Sequence, residues 1–271
     1  MPSPPTRPHV AKKSSAPKPK NVVRAAAKSK PKTSWREHFS GLVGTVAIFL
    51  FIRIFFFEAY RIPSGSMIPA MLIGDWLFVN KLAYGPHIPF TNFSLPGYTD
   101  PKRYDISVFV SPNQIDQPWD PNPTLVKRVV GLPGDTLHMR DAKLFVNGIE
   151  QRQGYGAESE MGDPSEVSPL YDWQRQYALQ QSRFGPAPAQ PMHDTWGPLV
   201  IPPGHYFMMG DNRYNSKDSR YWGIVPRENF RGRPLFVYYS WDAECSDRGD
   251  CASPLPAITD IRWGRLGHWI K

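Results

Sequence analysis

Residues 125–135 read Leu-Val-Lys-Arg-Val-Val-Gly-Leu-Pro-Gly-Asp, a short run rich in β-branched residues closed by a Gly-Leu-Pro-Gly turn. Val and the alternation around it favour a strand, and Gly and Pro end it. On a strand, side chains alternate with period 2, so Lys127 shares a face with Leu125 and Val129, and Arg128 shares the other with Val126 and Val130. One of the two cations therefore lies on an apolar face. A lysine buried there loses solvation and its pKa falls from about 10.4. The alternative is an exposed edge strand on which Lys127 merely keeps the surface soluble. Further strand-like runs lie at Trp76–Val79, Ile106–Val110, Leu144–Val146, His205–Met209 and Leu235–Tyr239. Asn147-Gly148 after Leu-Phe-Val marks a hairpin, and Ile201–Gly204 (Ile-Pro-Pro-Gly) marks another tight turn. Thirty prolines in 271 residues are about twice the usual share of roughly 5%, which excludes a mainly helical body. The body is expected to be mainly β.

Charge is unevenly spread. Residues 1–41 carry ten Lys or Arg and one Glu, a net +9 against +8 for the whole chain, so the remainder carries −1. A body without clustered cations does not present a nucleic-acid-binding surface. Residues 1–33 are Pro, Ser, Ala and Lys with few apolar residues, a composition that predicts a disordered basic tail. From Phe39 to Phe57 the chain reads FSGLVGTVAIFLFIRIFFF, with Arg53 its one charge. Nineteen helical residues span roughly 28 Å, close to the roughly 30 Å hydrocarbon core of a bilayer. A cleaved signal peptide would need a short basic start and small residues at its end, and this stretch has neither. A buried soluble helix would not explain the cations before it. A membrane anchor explains both, with residues 1–38 on the cytoplasmic side and 58–271 outside. Residues 151–198, rich in Gln, Pro and Gly, read as an insertion within 141–200. Mean hydropathy of −0.44 excludes a multi-span transporter.

Two cysteines are too few for a disulfide scaffold, and no Cys/His cluster has zinc spacing. Cys245 and Cys251 are expected to close a small disulfide loop in an oxidising compartment; two free thiols are the alternative. No GxSxG elbow, HExxH or Walker loop is present. Three segments could carry chemistry. Tyr60–Met67 (YRIPSGSM) presents Ser64 and Ser66 on a turn fixed by Pro63 and Gly65, which alone means only a capped loop. Lys127, if neutral, can accept a proton from a serine. Met208–Gly223 (MMGDNRYNSKDSRYWG) is dense in short polar side chains, and Asp218 and Arg220 can pair to hold it rigid.

Taken in order behind an anchor, IPSGSM, KRVVGLPGD and GDNRYNSKDSRYWG resemble the type I bacterial signal peptidases (leader peptidases), a Ser–Lys dyad family. The resemblance covers the anchor and most of the body. It implies a signal-peptidase-like β catalytic core with a smaller inserted β subdomain, preceded by one N-terminal transmembrane helix. It implies Ser66 as nucleophile and Lys127 as general base. Ser64 and the Ser66 N–H would form the oxyanion hole, Ser216 would orient the lysine, and Asp218 and Arg220 would support the site. Shallow pockets for an Ala-X-Ala-like sequence are implied near Ile62, Pro63, Met67, Leu125 and Val126. The implied partners are signal-peptide-bearing preproteins and the lipid bilayer, with no nucleic acid, no metal and no organic cofactor. The chain would act as a monomer in the bacterial inner membrane, its catalytic domain periplasmic. Tyr214 stands where the family commonly has an acid, which alters local charge outside the chemical groups. A basic-tailed membrane protein without enzymatic activity, a Ser–Lys self-cleaving repressor, and a peptidase dedicated to one precursor are the competing readings.

Overall fold

The computed structural model describes residues 35–89, 91, 93–152, 168–245, 249, 251 and 256–271. The basic tail up to residue 34 and part of the insertion, 153–167, lie outside them. The chain divides into two compact units, residues 1–44 and 45–271. Helix α1 runs Trp35–Phe55, with no proline in it and Arg53 in its last turn. The window His38–Phe55 has mean hydropathy 1.8 and no buried residue, so by length and composition it is able to cross a membrane. The helix differs from the expected 39–57 at both ends. Trp35–His38, assigned to the tail, are helical, and Phe57 already belongs to a strand. Three consecutive phenylalanines are as compatible with a strand as with a helix, and Phe57 finds a partner in Asn80.

Among the described residues eleven strands follow: β1 (Phe57–Arg61), β2 (Asp75–Asn80), β3 (Ile106–Val110), β4 (Thr124–Gly131), β5 (Thr136–Arg140), β6 (Lys143–Val146), β7 (Ile149–Glu150), β8 (Trp196–Val200), β9 (His205–Met209), β10 (Val225–Pro226) and β11 (Phe230–Ser240). They form a seven-stranded sheet ordered β1-β2-β11-β3-β4-β9-β10 and a four-stranded sheet ordered β7-β6-β5-β8. Every pairing is antiparallel. All six strand runs read from the sequence fall inside strands. The Asn147-Gly148 turn joins β6 to β7, with positive φ at both residues (53° and 88°), as a two-residue hairpin requires. The smaller sheet begins at Thr136 rather than at residue 141, because the Gly131–Gly134 turn passes the chain directly from β4 into β5.

Among the described residues three buried clusters fill the body. One joins the sheets, setting Val130, Phe207 and Met209 against Leu137, Trp196 and Leu199. The other two gather around Ile62, Met67, Leu77 and Val108, and around Phe109, Val129, Met208 and Trp222. Cys245 and Cys251 form a disulfide with Cα atoms 4.8 Å apart, which removes the free-thiol alternative.

Downstream of that loop the chain returns over the segment that follows the Ser66 turn. Arg262 donates to the Ile73 carbonyl at 2.7 Å, and Arg265 donates to the Ala70 carbonyl at 3.1 Å. Arg265 also grips Asp75, Nη2 to Oδ2 at 2.6 Å, and Asp75 is wholly buried. Ser240 Oγ and the Leu72 N–H complete the carboxylate's shell at 2.7 and 2.8 Å. Removing one partner of a buried pair strands the other charge, at a typical cost of about 3–5 kcal/mol. Arg265→Ala is therefore expected to destabilise the body by about 3 kcal/mol in chemical denaturation, and a loss below about 1 kcal/mol would contradict this reading of the clamp.

Candidate active site

The three polar segments meet around one glycine. In the register of β4 with β9, Arg128 faces Met209, so the next antiparallel step brings Gly210 opposite Lys127. A Cβ on Gly210 would lie 2.1 Å from Ser216 Oγ and 2.6 Å from the Ser66 carbonyl oxygen. No side chain fits there. The absence of one lets the Ser66 turn, the end of β4 and the loop after β9 close on each other.

The turn itself is a single 3₁₀ turn, Gly65–Met67, entered from Ser64 in extended conformation. Ser64 is exposed and Ser66 half-buried, with their hydroxyl oxygens 3.5 Å apart. Asn212 holds this turn from the opposite side. Its backbone N–H donates to the Ser66 carbonyl at 3.1 Å, and its Nδ2 donates to the Gly65 carbonyl at 3.3 Å.

Lys127 is 3% exposed in the middle of β4. Burial pushes its amine down from 10.5 to about 8; Asp218 and Asp211 oppose that fall and Arg220 adds to it. The edge-strand alternative therefore fails, since β4 lies between β3 and β9. Arg128, pointing the other way, forks onto Asp211 with Nε–Oδ1 2.7 Å and Nη2–Oδ2 2.6 Å.

Asp218 is fully buried. Burial alone would raise its carboxyl, but the Arg220 guanidinium, hydrogen-bonded to it at 2.8 and 3.0 Å, holds it down at about 2. Ser216 Oγ donates to the same carboxylate at 2.9 Å, as does the Gly210 N–H at 3.0 Å. Arg220 continues to the carbonyls of Arg213 and Ser216 at 3.0 and 3.1 Å. The loop is thus braced on one buried ion pair, which satisfies its otherwise orphaned backbone groups.

The structure accordingly brings Ser66, Ser64, Lys127, Ser216, Asp218 and Arg220 into one site. The five apolar residues named beside them divide. Ile62, Met67 and Val126 pack in one cluster, Leu125 packs with Phe109 and Trp222 on the other face of the sheet, and Pro63 is exposed. Asn212, Gly210 and the Arg128–Asp211 fork were not singled out from sequence. Their partners lie up to 147 residues away, and the Gly-Asp-Asn signature offered no local sign of them.

Such a site combines a hydroxyl on a rigid turn with an amine that loses its proton near neutral pH. That combination suits proton abstraction and nucleophilic attack. The amine also carries a stability cost. Below about pH 8 the folded chain must bury the charged ammonium, a penalty that fades as pH rises toward 10.5, where the unfolded chain also loses the proton. Lys127→Met is expected to raise stability at pH 7 by as much as about 3 kcal/mol, with the gain vanishing near pH 10.5. Thermal unfolding across that pH range checks it, and a destabilised variant at pH 7 would contradict it.

Residues 35–241 match the family of signal peptidases, peptidase S26. A protein of Pseudomonas fluorescens called signal peptidase I is 38% identical over 208 residues, which is 72% of this chain and 69% of that protein. Its counterpart in Pseudomonas aeruginosa is 39% identical over 210 residues, with the same shares. A signal peptidase I of Aquifex aeolicus is 31% identical over 251 residues, 80% of this chain and 89% of its own.

Proposed function

The chain belongs to the signal peptidase family, peptidase S26, and from that premise we propose that it is a membrane-anchored serine endopeptidase that removes signal peptides from exported preproteins with a Ser66–Lys127 dyad. The observation that carries the dyad is the buried Lys127 amine, held near pKa 8 beside the loop that closes on Ser66. Neutral Lys127 takes the Ser66 proton as Oγ attacks the scissile carbonyl carbon. Ser216 has its own hydrogen committed to Asp218, so towards Lys127 it can only accept. That leaves the amine's lone pair for Ser66. The Ser66 N–H and the Ser64 hydroxyl stabilise the oxyanion, each such donor worth about 10²–10³ in rate. The C–N bond then breaks, the protonated lysine gives its proton to the departing amine, and the lysine next activates water to hydrolyse the acyl-enzyme. Asp218 and Arg220 support the loop and take no part in proton transfer.

Substrate binding has a matching edge. β4 pairs with β3 from Thr124 onward, whereas β9 joins it only from Arg128. Among the described residues, Thr124–Lys127 therefore have no strand partner on the β9 side. An extended peptide can add there as a strand, with its first and third residues before the cut on one face. Ile62 and Met67 are already buried, which supports room there for small side chains of an Ala-X-Ala type and not for large ones.

The apolar helix α1 supports single-span anchoring, and the Lys/Arg excess before it supports a cytoplasmic N-terminus and a periplasmic catalytic domain. Ser66 follows Phe55 by eleven residues, at most about 40 Å of chain, so one copy reaches cleavage sites near the membrane surface.

The test is cleavage of a purified precursor in detergent. Wild type is expected to cut it, with kcat/KM falling about tenfold per pH unit below about 8. Ser66→Ala and Lys127→Ala are expected to be folded and inactive. Normal cleavage by Lys127→Ala would place the base elsewhere, and a wild type inert on exported precursors would overturn the peptidase reading.

A further inference from the structure

We infer that Asn212 is the positioning residue that aims the oxyanion-hole N–H of Ser66. This rests on the Ser66–Lys127 reading and adds to it a residue outside the reacting atoms. The argument is peptide geometry. The Gly65 carbonyl and the Ser66 N–H belong to one planar trans peptide unit, in which C=O and N–H point in opposite directions. The Gly65 carbonyl accepts from the Ile68 N–H at 3.1 Å inside the turn and from Asn212 Nδ2 at 3.3 Å, so Asn212 ties that plane to the loop after β9. With the carbonyl drawn toward Asn212, the Ser66 N–H points away from Asn212.

The neighbouring peptide unit is fixed by the same residue. The Asn212 backbone N–H donates to the Ser66 carbonyl at 3.1 Å, so two successive planes of the nucleophile's turn are pinned to one side chain and its own backbone. Asn212 is itself immobilised. Its Oδ1 accepts from the Asn215 N–H at 3.2 Å, capping the 3₁₀ turn Arg213–Asn215 that leads into Ser216. One amide thus uses its acceptor on the loop that carries Ser216 and its donor on the turn that carries Ser66. A carboxylate could cap the loop equally well. Only a side chain that accepts and donates at once does both.

The experiment compares wild type, Asn212→Ala and Asn212→Asp in the full-length protein. Asp keeps the capping acceptor and loses the donor to Gly65, so it separates the clamp from the cap. Four quantities are read on a peptide spanning the cleavage site: kcat, KM, the affinity of a peptide aldehyde that forms a tetrahedral adduct with Ser66, and the affinity of the same peptide N-methylated at the scissile amide. Both variants are expected to lose about 10- to 100-fold in kcat, less than the roughly 10²–10³ lost when an oxyanion donor is removed outright, because the Ser66 N–H is misaimed rather than absent. Aldehyde affinity should fall by a similar factor, with KM and N-methyl peptide affinity within about twofold of wild type. The acid limb of the pH profile of Asn212→Ala should stay where wild type has it, because Lys127 is untouched. Wild-type turnover in Asn212→Asp would assign the residue to capping alone and overturn the inference. So would aldehyde affinity that is unchanged, or a loss confined to KM. Failure of the Ser66–Lys127 reading is distinguishable, since Ser66→Ala would then retain the wild-type rate in the same assay.

Discussion

The buried amine of Lys127 is the constraint on which the site depends. In water a lysine holds its proton until pH is above 10, and as a base it would be useless near neutrality. Threading it through the middle of a seven-stranded sheet removes its solvation and brings the amine to about 8. The same burial limits everything around it, because each nearby charge must be satisfied inside the protein or must move the amine again.

Two ion pairs meet that demand. Asp218 would raise the lysine if it stood alone, and Arg220 neutralises much of its field while anchoring the loop through three acceptors. On the opposite face of β4, Arg128 and Asp211 form a second fork that ties the start of the loop to the strand carrying Lys127. Between them Gly210 lets backbone approach backbone, and Asn212 carries the connection across to Ser66. A single element, the loop after β9, therefore sets the placement of both the Ser66 turn and the lysine's neighbours.

Much of this was legible in the chain itself, and the reasons differ from residue to residue. Period 2 over Leu125–Val130 located β4 and put Lys127 on an apolar face, because alternation is a local property. Asn147-Gly148 announced its hairpin for the same reason. The choice between buried base and exposed edge was not local, since it depended on β3 and β9 lying on either side of β4. The family resemblance named Ser66 and Lys127 but could say nothing of Asn212 or Gly210, whose contacts exist only once distant segments meet. β1 and β5 escaped notice because Phe57–Arg61 and Thr136–Arg140 mix charged and apolar residues in runs of five, too short for a clear pattern. Of the five apolar residues named for the pocket, Leu125 and Val126 sit on opposite faces of one strand, a consequence of the very alternation that located the strand.

Burial within this braced site lowers the Lys127 amine toward neutral pH, as the proposed base requires. The most direct test is titration of the Lys127 amine in the folded protein, followed by NMR of lysine labelled with ¹³C at Cε and assigned by comparison with Lys127→Ala. The expected midpoint is about 8. A midpoint near the ordinary value of 10.5 would mean that the amine is solvated, and would contradict the mechanism built on it.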